Sequence, residues 1–280
     1  MTAGRWPGGR RAAACVTFDH LGEAAELQMG SWPVHVPVGR HHSVSDELPN
    51  LLEMLRERPV RSTFYLEAWN VDTYPDAVLS IAEAGHDIGW HGWLHEPWAR
   101  TDGPALRTAL DRSFERYDRL GIRPVAARPP AGLLGDHSPA LLREYGFELA
   151  SLAGDVHGVQ DGLALLPYPW TGVDGAYYIP GFTRLREEDP GDHPVGPDVL
   201  LRAHQRFLEE TVEAGGFASY VFHVLWQDTP DKVAAIATLM DRLDADDRVW
   251  HARSAEIARW MRAHPEHFAG VTHVDAHPAW

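Results

Sequence analysis

The strongest constraint on this chain is an alternation, kept up along most of its length, between short apolar runs and longer amphipathic ones. Residues 12–18 read as a buried strand that stops abruptly at Asp19 and His20. Residues 61–66, 86–90, 125–128, 147–152 and 217–222 repeat the pattern as short runs suited to strands and bounded by turn signals. Helical spacing fills the intervals. Residues 46–56 place leucines on one face with Asp46 at the N-cap position, and 75–84 open with proline and close at Gly85. Further helices are expected over 104–120, 138–145, 199–214, 231–243 and 254–263. Such alternation predicts a parallel sheet with helices outside it, and six to seven units suit a closed or nearly closed barrel.

The 280 residues suit a single α/β domain over 1–280, with its core over about 12–263. Two stretches, 21–45 and 154–197, are rich in Gly, Pro and His, and too long for ordinary connections. On a barrel, long loops shape the binding face.

The net charge of −15, with no basic block, repels polyanions, so neither nucleic acid nor an anionic membrane surface is an expected partner. Cys15 is the sole cysteine; no intrachain disulfide is possible, and it reads as a small buried strand residue. The first residues carry arginines but no apolar stretch of signal-peptide length, and no run is long enough to cross a bilayer. A cytoplasmic location is the expectation.

Four polar clusters sit where strands end: Asp19-His20, His91 to His95, Arg128-Pro129-Pro130, and His223. In a parallel barrel the C-terminal strand ends share one face, so these clusters converge on one pocket. His91 and His95 are four apart, which on a helical turn puts two imidazoles on one side of the chain. The spacing alone is weak, because 17 histidines in 280 residues give about one such pair by chance. A second pair, His273 and His277, lies in the tail without a strand-end setting. Asp19 reads as general base, metal ligand or capping carboxylate; Arg128 as its ion-pair partner; His223 as a proton donor to a leaving amine. Of the 11 tryptophans, Trp93, Trp98 and Trp226 neighbour these clusters and are candidate pocket walls, with Pro129 and Pro130 beside them. Trp6, Trp250 and Trp260 read as packing residues.

The order VTFDH (16–20), RSTFYLEAW (61–69), GHDIGWHGWLHEPW (85–98), RPPAG (128–132) and VFH (221–223) resembles the polysaccharide deacetylase, or NodB-homology, family. Its wording is closer to the bacterial intracellular branch that includes allantoinase-like members. The resemblance spans most of the chain. It implies a distorted (β/α) barrel of six to eight parallel strands and hydrolysis of N-acyl groups with one divalent metal. It also implies Asp19 as base, His91 and His95 as ligands, Arg128 as the residue that tunes the base, and His223 as acid. The sequence departs from the family where a second aspartate ligand is usual, and His20 stands there. His20 as third ligand gives a three-histidine site that favours zinc, at the cost of one negative charge. The alternatives are Asp19 itself, or Glu23 reaching back. The family's aspartate segment that supports the acid histidine has no clear counterpart; Asp155 in LAGDVHG is the nearest.

The expected function is therefore metal-dependent hydrolysis of an amide C–N bond, removing an acetyl or formyl group from a cytoplasmic small molecule such as an amino sugar. Two alternatives accompany it: ring opening of a cyclic amide or ureide, and a catalytically inactive binding protein on the same fold. A small N-acylated molecule is the expected partner, and self-association is left open.

Overall fold

The computed structural model describes residues 4–155 and 157–268, so His273 and His277 lie outside the described residues. Among the described residues nine strands run in chain order: β1 (Ala12–Asp19), β2 (Thr63–Leu66), β3 (Asp87–Trp90), β4 (Ala126–Ala127), β5 (Leu149–Ala153), β6 (Gly158–Gln160), β7 (Leu163–Tyr168), β8 (Phe217–His223) and β9 (Val249–His251). Eight of them form one continuous sheet in the order β6-β7-β5-β4-β3-β2-β1-β8, and β9 pairs with β1. Only β6 runs antiparallel to its neighbour; the other pairings are parallel. The sheet curls until Val173, just beyond β7, meets Val221 of β8 in a single parallel bridge. The result is a mixed α/β half-barrel, closed on that side by one residue pair. The expectation of a distorted barrel holds.

β1 is the strand around which the others are arranged. All eight of its residues are buried, as a near-continuous apolar run requires in a parallel sheet covered on both faces. It pairs with β8 along most of its length, with β2 at its C-terminal end and with β9 at its N-terminal end. Cys15, as expected, is buried within it.

The helices bury one apolar stripe each. Over Gly103–Arg119 that stripe includes Leu106, Leu110, Phe114 and Tyr117, and the Asp102 side chain accepts the Ala105 N–H at 2.8 Å as N-cap. Such a cap contributes about 1 kcal/mol. Asp46 is not a cap: a π-helical turn over Ser43–Glu47 runs straight into the helix Leu48–Arg56, so Asp46 lies inside a helical segment that starts earlier than expected. Trp6 packs with Trp250 and Phe268, and Trp250 with Trp260, below the barrel, as packing residues.

The stretch 154–197 is not irregular throughout. It holds the β6–β7 hairpin, turned by Asp161 and Gly162 with φ of 49° and 81°, and β7 is a strand of the barrel wall. The stretch 21–45 contains the short helix Ala24–Met29, then turns and bends that lead into the π-helical turn Ser43–Glu47. No helix among the described residues is long and apolar enough to cross a membrane.

Candidate active site

The parallel register delivers the polar clusters to one edge. Asp19 pairs with Tyr65 of β2 on one side and with His223 of β8 on the other; Leu66 pairs with Trp90, and Trp90 with Ala127. The next residue after three of these strands is Glu67, His91 or Arg128, so each projects from the same rim.

Arg128 is fully buried and forms a close ion pair with Asp19. Its guanidinium also donates to Thr17 Oγ1 at 3.0 Å and Ser151 Oγ at 2.8 Å, and lies over the Tyr65 ring at 4.0 Å. Burial opposes the Arg128 charge most strongly, but Asp19, together with Tyr65 and Tyr168, more than offsets it and the pKa is raised. A charge pair this deep costs desolvation free energy that Coulombic attraction only partly offsets, so its value lies in fixing Asp19 in place.

His20, His91 and His95 form a triangle of rings with centroids 4.7 to 5.0 Å apart. One donor atom from each, together with a carboxylate oxygen of Glu67, lies within 4.8 Å of the others. The His91–His95 pair does not sit on a helical turn. The segment bends instead, through Gly92 (φ 93°) and His95 (φ 82°). The Glu96 carboxylate holds the bend by accepting the Trp93 and Leu94 N–H groups, each at 2.9 Å on its shorter contact. Left-handed backbone outside glycine is costly and gathers at functional sites. Here His20 (φ 60°), His95 and Ala131 (φ 58°) all adopt it, and all three line the same cavity.

The donor set fits a divalent cation. The His91 Nδ1–H donates to the Arg128 carbonyl at 2.7 Å, and His20 Nδ1 pairs with Glu67 Oε1 at 2.5 Å, which leaves both Nε2 atoms for an ion. Burial, with the neighbouring His20 charge, holds His91 and His95 well below the usual histidine range, so both are neutral as ligands must be. Burial also opposes charge on His20, but Glu67, helped by Asp19 and Asp174, more than offsets it and raises the His20 pKa. Glu67 corrects the expectation of a missing negative charge, because its fully buried carboxylate supplies one. It accepts from His20 Nδ1, and its carboxylate is placed where it could also reach an ion held by the three imidazoles. The alternatives to His20 fare less well. Asp19 is tied to Arg128 and is not one of the clustered donors. Glu23 is turned to Tyr74 Oη at 2.6 Å and the Gly39 N–H at 2.7 Å.

His223 faces the triangle, its ring 5.1 Å from that of His20. Its Nδ1 bonds Asp174 Oδ1 at 2.6 Å, and Asp174 Oδ2 accepts the His223 N–H at 2.8 Å and Gln227 Nε2 at 2.7 Å. Asp174, fully buried, is thus the carboxylate behind His223. Asp155 is not: it is exposed and lines a separate depression with Arg5 and His157.

These groups open onto a cavity of about 450 Å³. Trp226 lines it and packs on His223 at 4.0 Å. Trp93, Trp98, Pro129 and Pro130 do not line it, contrary to expectation. Trp98 is fully buried and stacks on Trp90 at 4.4 Å, and Trp93 lies under the Arg112 guanidinium at 3.7 Å. Pro129 and Pro130 are buried, and Ala131 is the residue of that loop that reaches the cavity. The unforeseen wall residues Tyr168, Trp170 and Phe182 come from β7 and the segment after it.

Comparison with known proteins points the same way as the geometry. The family sequence profile described as Polysaccharide deacetylase matches residues 35–150. A peptidoglycan-N-acetylglucosamine deacetylase of Bacillus cereus is 27% identical over 157 residues, covering 53% of each chain, so the match spans about half the length of that relative. A solved Mycobacterium smegmatis structure assigned to the polysaccharide deacetylases superposes with a TM-score of 0.81 at 27% identity, over 98% of this chain and 97% of the other. The solved PuuE allantoinase shares the fold, with a TM-score of 0.74 at 17% identity over 93% and 94%. The motif order, the half-barrel and these likenesses all agree with the polysaccharide deacetylase family, whose profile matches residues 35–150.

Proposed function

We propose that this chain hydrolyses the amide bond of an N-acylated small molecule with one divalent ion, zinc by the nature of its donors, held by His20, His91 and His95 together with Glu67. The observation that carries this reading is the convergence of a fixed carboxylate, a nitrogen-rich donor cluster and a carboxylate-backed imidazole on one cavity. Three nitrogens and one oxygen suit zinc better than the hard, all-oxygen preference of magnesium or calcium. When bound, the ion supplies Lewis acidity toward the acyl carbonyl and the attacking water.

The protein's own groups do the remaining work. Asp19, oriented by Arg128, accepts the proton of the attacking water. His223 presents Nε2 to the cavity because Nδ1 is committed to Asp174; it gives its proton to the departing nitrogen, and Asp174 stabilises the charged imidazole before transfer. No covalent intermediate with the chain is required. A cavity of about 450 Å³, walled on several sides, supports a small substrate.

Metal analysis and one substitution test the reading. Purified protein should hold about one equivalent of transition metal. Asp19→Asn should keep that metal while turnover of N-acetyl or N-formyl amines falls by about a hundredfold or more. If the variant loses the metal, Asp19 is a ligand and its role as base is wrong. A cyclic imide in the same panel tests the ring-opening alternative.

A further inference from the structure

The cavity has a second acidic feature that hydrolysis as described leaves unused. Glu26, on the short helix Ala24–Met29, lines the cavity on the side contributed by the 21–45 segment. Its Oε2 accepts from His41 Nε2 at 3.0 Å. His41 is buried, and the Ser43 N–H donates to its Nδ1 at 3.1 Å, so the ring proton is on Nε2 and points at Glu26. Burial and the neighbouring His42 lower the His41 pKa. Glu26 is therefore held in place by an imidazole N–H rather than by a guanidinium or ammonium group.

The other carboxylates at this site are accounted for. Asp19 is matched by Arg128, Glu67 by His20, and Asp174 by His223. Glu26 has no Arg or Lys ion-pair partner among the described residues, and no Arg or Lys lines the cavity. The remaining wall includes Trp170, Phe182 and Trp226. An anchored carboxylate in a cavity with aromatic walls suits an organic cation, which gains Coulombic attraction from the one and cation–π attraction from the others. The net charge of −15 favours approach of the same class.

We propose that Glu26 selects the substrate, and that the substrate is an N-acylated amine whose amine half carries a second, protonated nitrogen. The inference rests on the amide-hydrolase reading above. Water adds to the acyl carbon and the C–N bond breaks. The acyl group leaves as a carboxylate, and the released amine takes the proton, so the product is a diammonium ion.

The test compares N-acetyl-1,4-diaminobutane with N-pentylacetamide, which has a methyl in place of the ammonium. In the metal-loaded wild type, kcat/KM for the cationic amide should exceed that for the neutral one by about tenfold or more. Glu26→Gln should bring the ratio toward one, and Glu26→Asp, which keeps the charge on a shorter stem, should leave it intermediate. A wild-type ratio near one, or a ratio that Glu26→Gln does not change, overturns the proposal.

A binding arm separates this proposal from the amide-hydrolase reading. Calorimetry with 1,4-diaminobutane and pentylamine needs no turnover. If neither amide is hydrolysed but the diamine binds more tightly, and loses that advantage in Glu26→Gln, the hydrolase reading falls and the cation site stands. Equal binding of the two amines overturns the cation site.

Discussion

Two imidazole–carboxylate pairs stand side by side on the cavity wall, and they differ in what surrounds them rather than in how they are made. His20–Glu67 and His223–Asp174 both join Nδ1 to a fully buried carboxylate, at 2.5 and 2.6 Å. His20 shares its space with two further imidazoles that burial keeps neutral, so its Nε2 belongs to a cluster of lone pairs. His223 has Trp226 on its face, and its carboxylate is also engaged by Gln227 and the His223 backbone N–H. The same pair thus suits a ligand on one side and a proton donor on the other. Neighbouring residues decide the role.

That contrast can be broken experimentally. Chelation, or His91→Ala, should abolish bound metal and lower amide turnover by about a thousandfold or more, read by elemental analysis and steady-state kinetics. Asp174→Asn should leave metal content unaltered and lower kcat by about 10²- to 10⁴-fold, because the acid loses its orientation and its counter-charge. Loss of metal in that variant would show the two pairs to be one unit.

Glu67→Gln should weaken metal affinity by about 10- to 100-fold, with activity restored by added metal. It should also alter the pH dependence of binding. Glu67 raises the His20 pKa above its ordinary 6.5, and a protonated ring cannot ligate, so metal affinity in the wild type falls as pH drops through that raised value. Without Glu67 the burial contribution remains and the fall should move to lower pH. Metal titrations across pH measure it.

The smallest effect concerns a histidine with neither role. His204 is fully buried against Tyr177, Tyr220 and Phe222, and neither ring nitrogen has a hydrogen-bond partner among the described residues. Burial pushes its pKa down to about 3. His204→Phe should raise stability by about 1 kcal/mol in a denaturant melt. A loss instead would mean that those nitrogens are satisfied by ordered water.

How much was legible follows from how each residue entered the site. Asp19, His20, His91, Arg128 and His223 end or directly follow apolar strands that the sequence makes plain. Glu67 obeys the same rule, standing immediately after β2, and applying the rule to every strand end would have found it. Asp174 and the wall residues Trp170 and Phe182 follow β7, whose hairpin signal, Asp161-Gly162, is buried in a stretch that its Gly, Pro and His content made look irregular. Trp93 and Trp98 show the opposite failure. Nearness in sequence to the histidines suggested the cavity, but the bend at Gly92 and His95 turns the histidines inward and the indoles into packing.

Apolar patterning by itself determined the barrel, because strands buried on both faces must be apolar and the chain must return past a helix between them. It also determined which polar residues reach the rim. The tertiary structure alone decided the partners behind those residues: Glu67 for His20, Asp174 for His223, His41 for Glu26. Each pairing joins residues 15 to 49 positions apart, and nothing in local spacing encodes which buried carboxylate meets which ring.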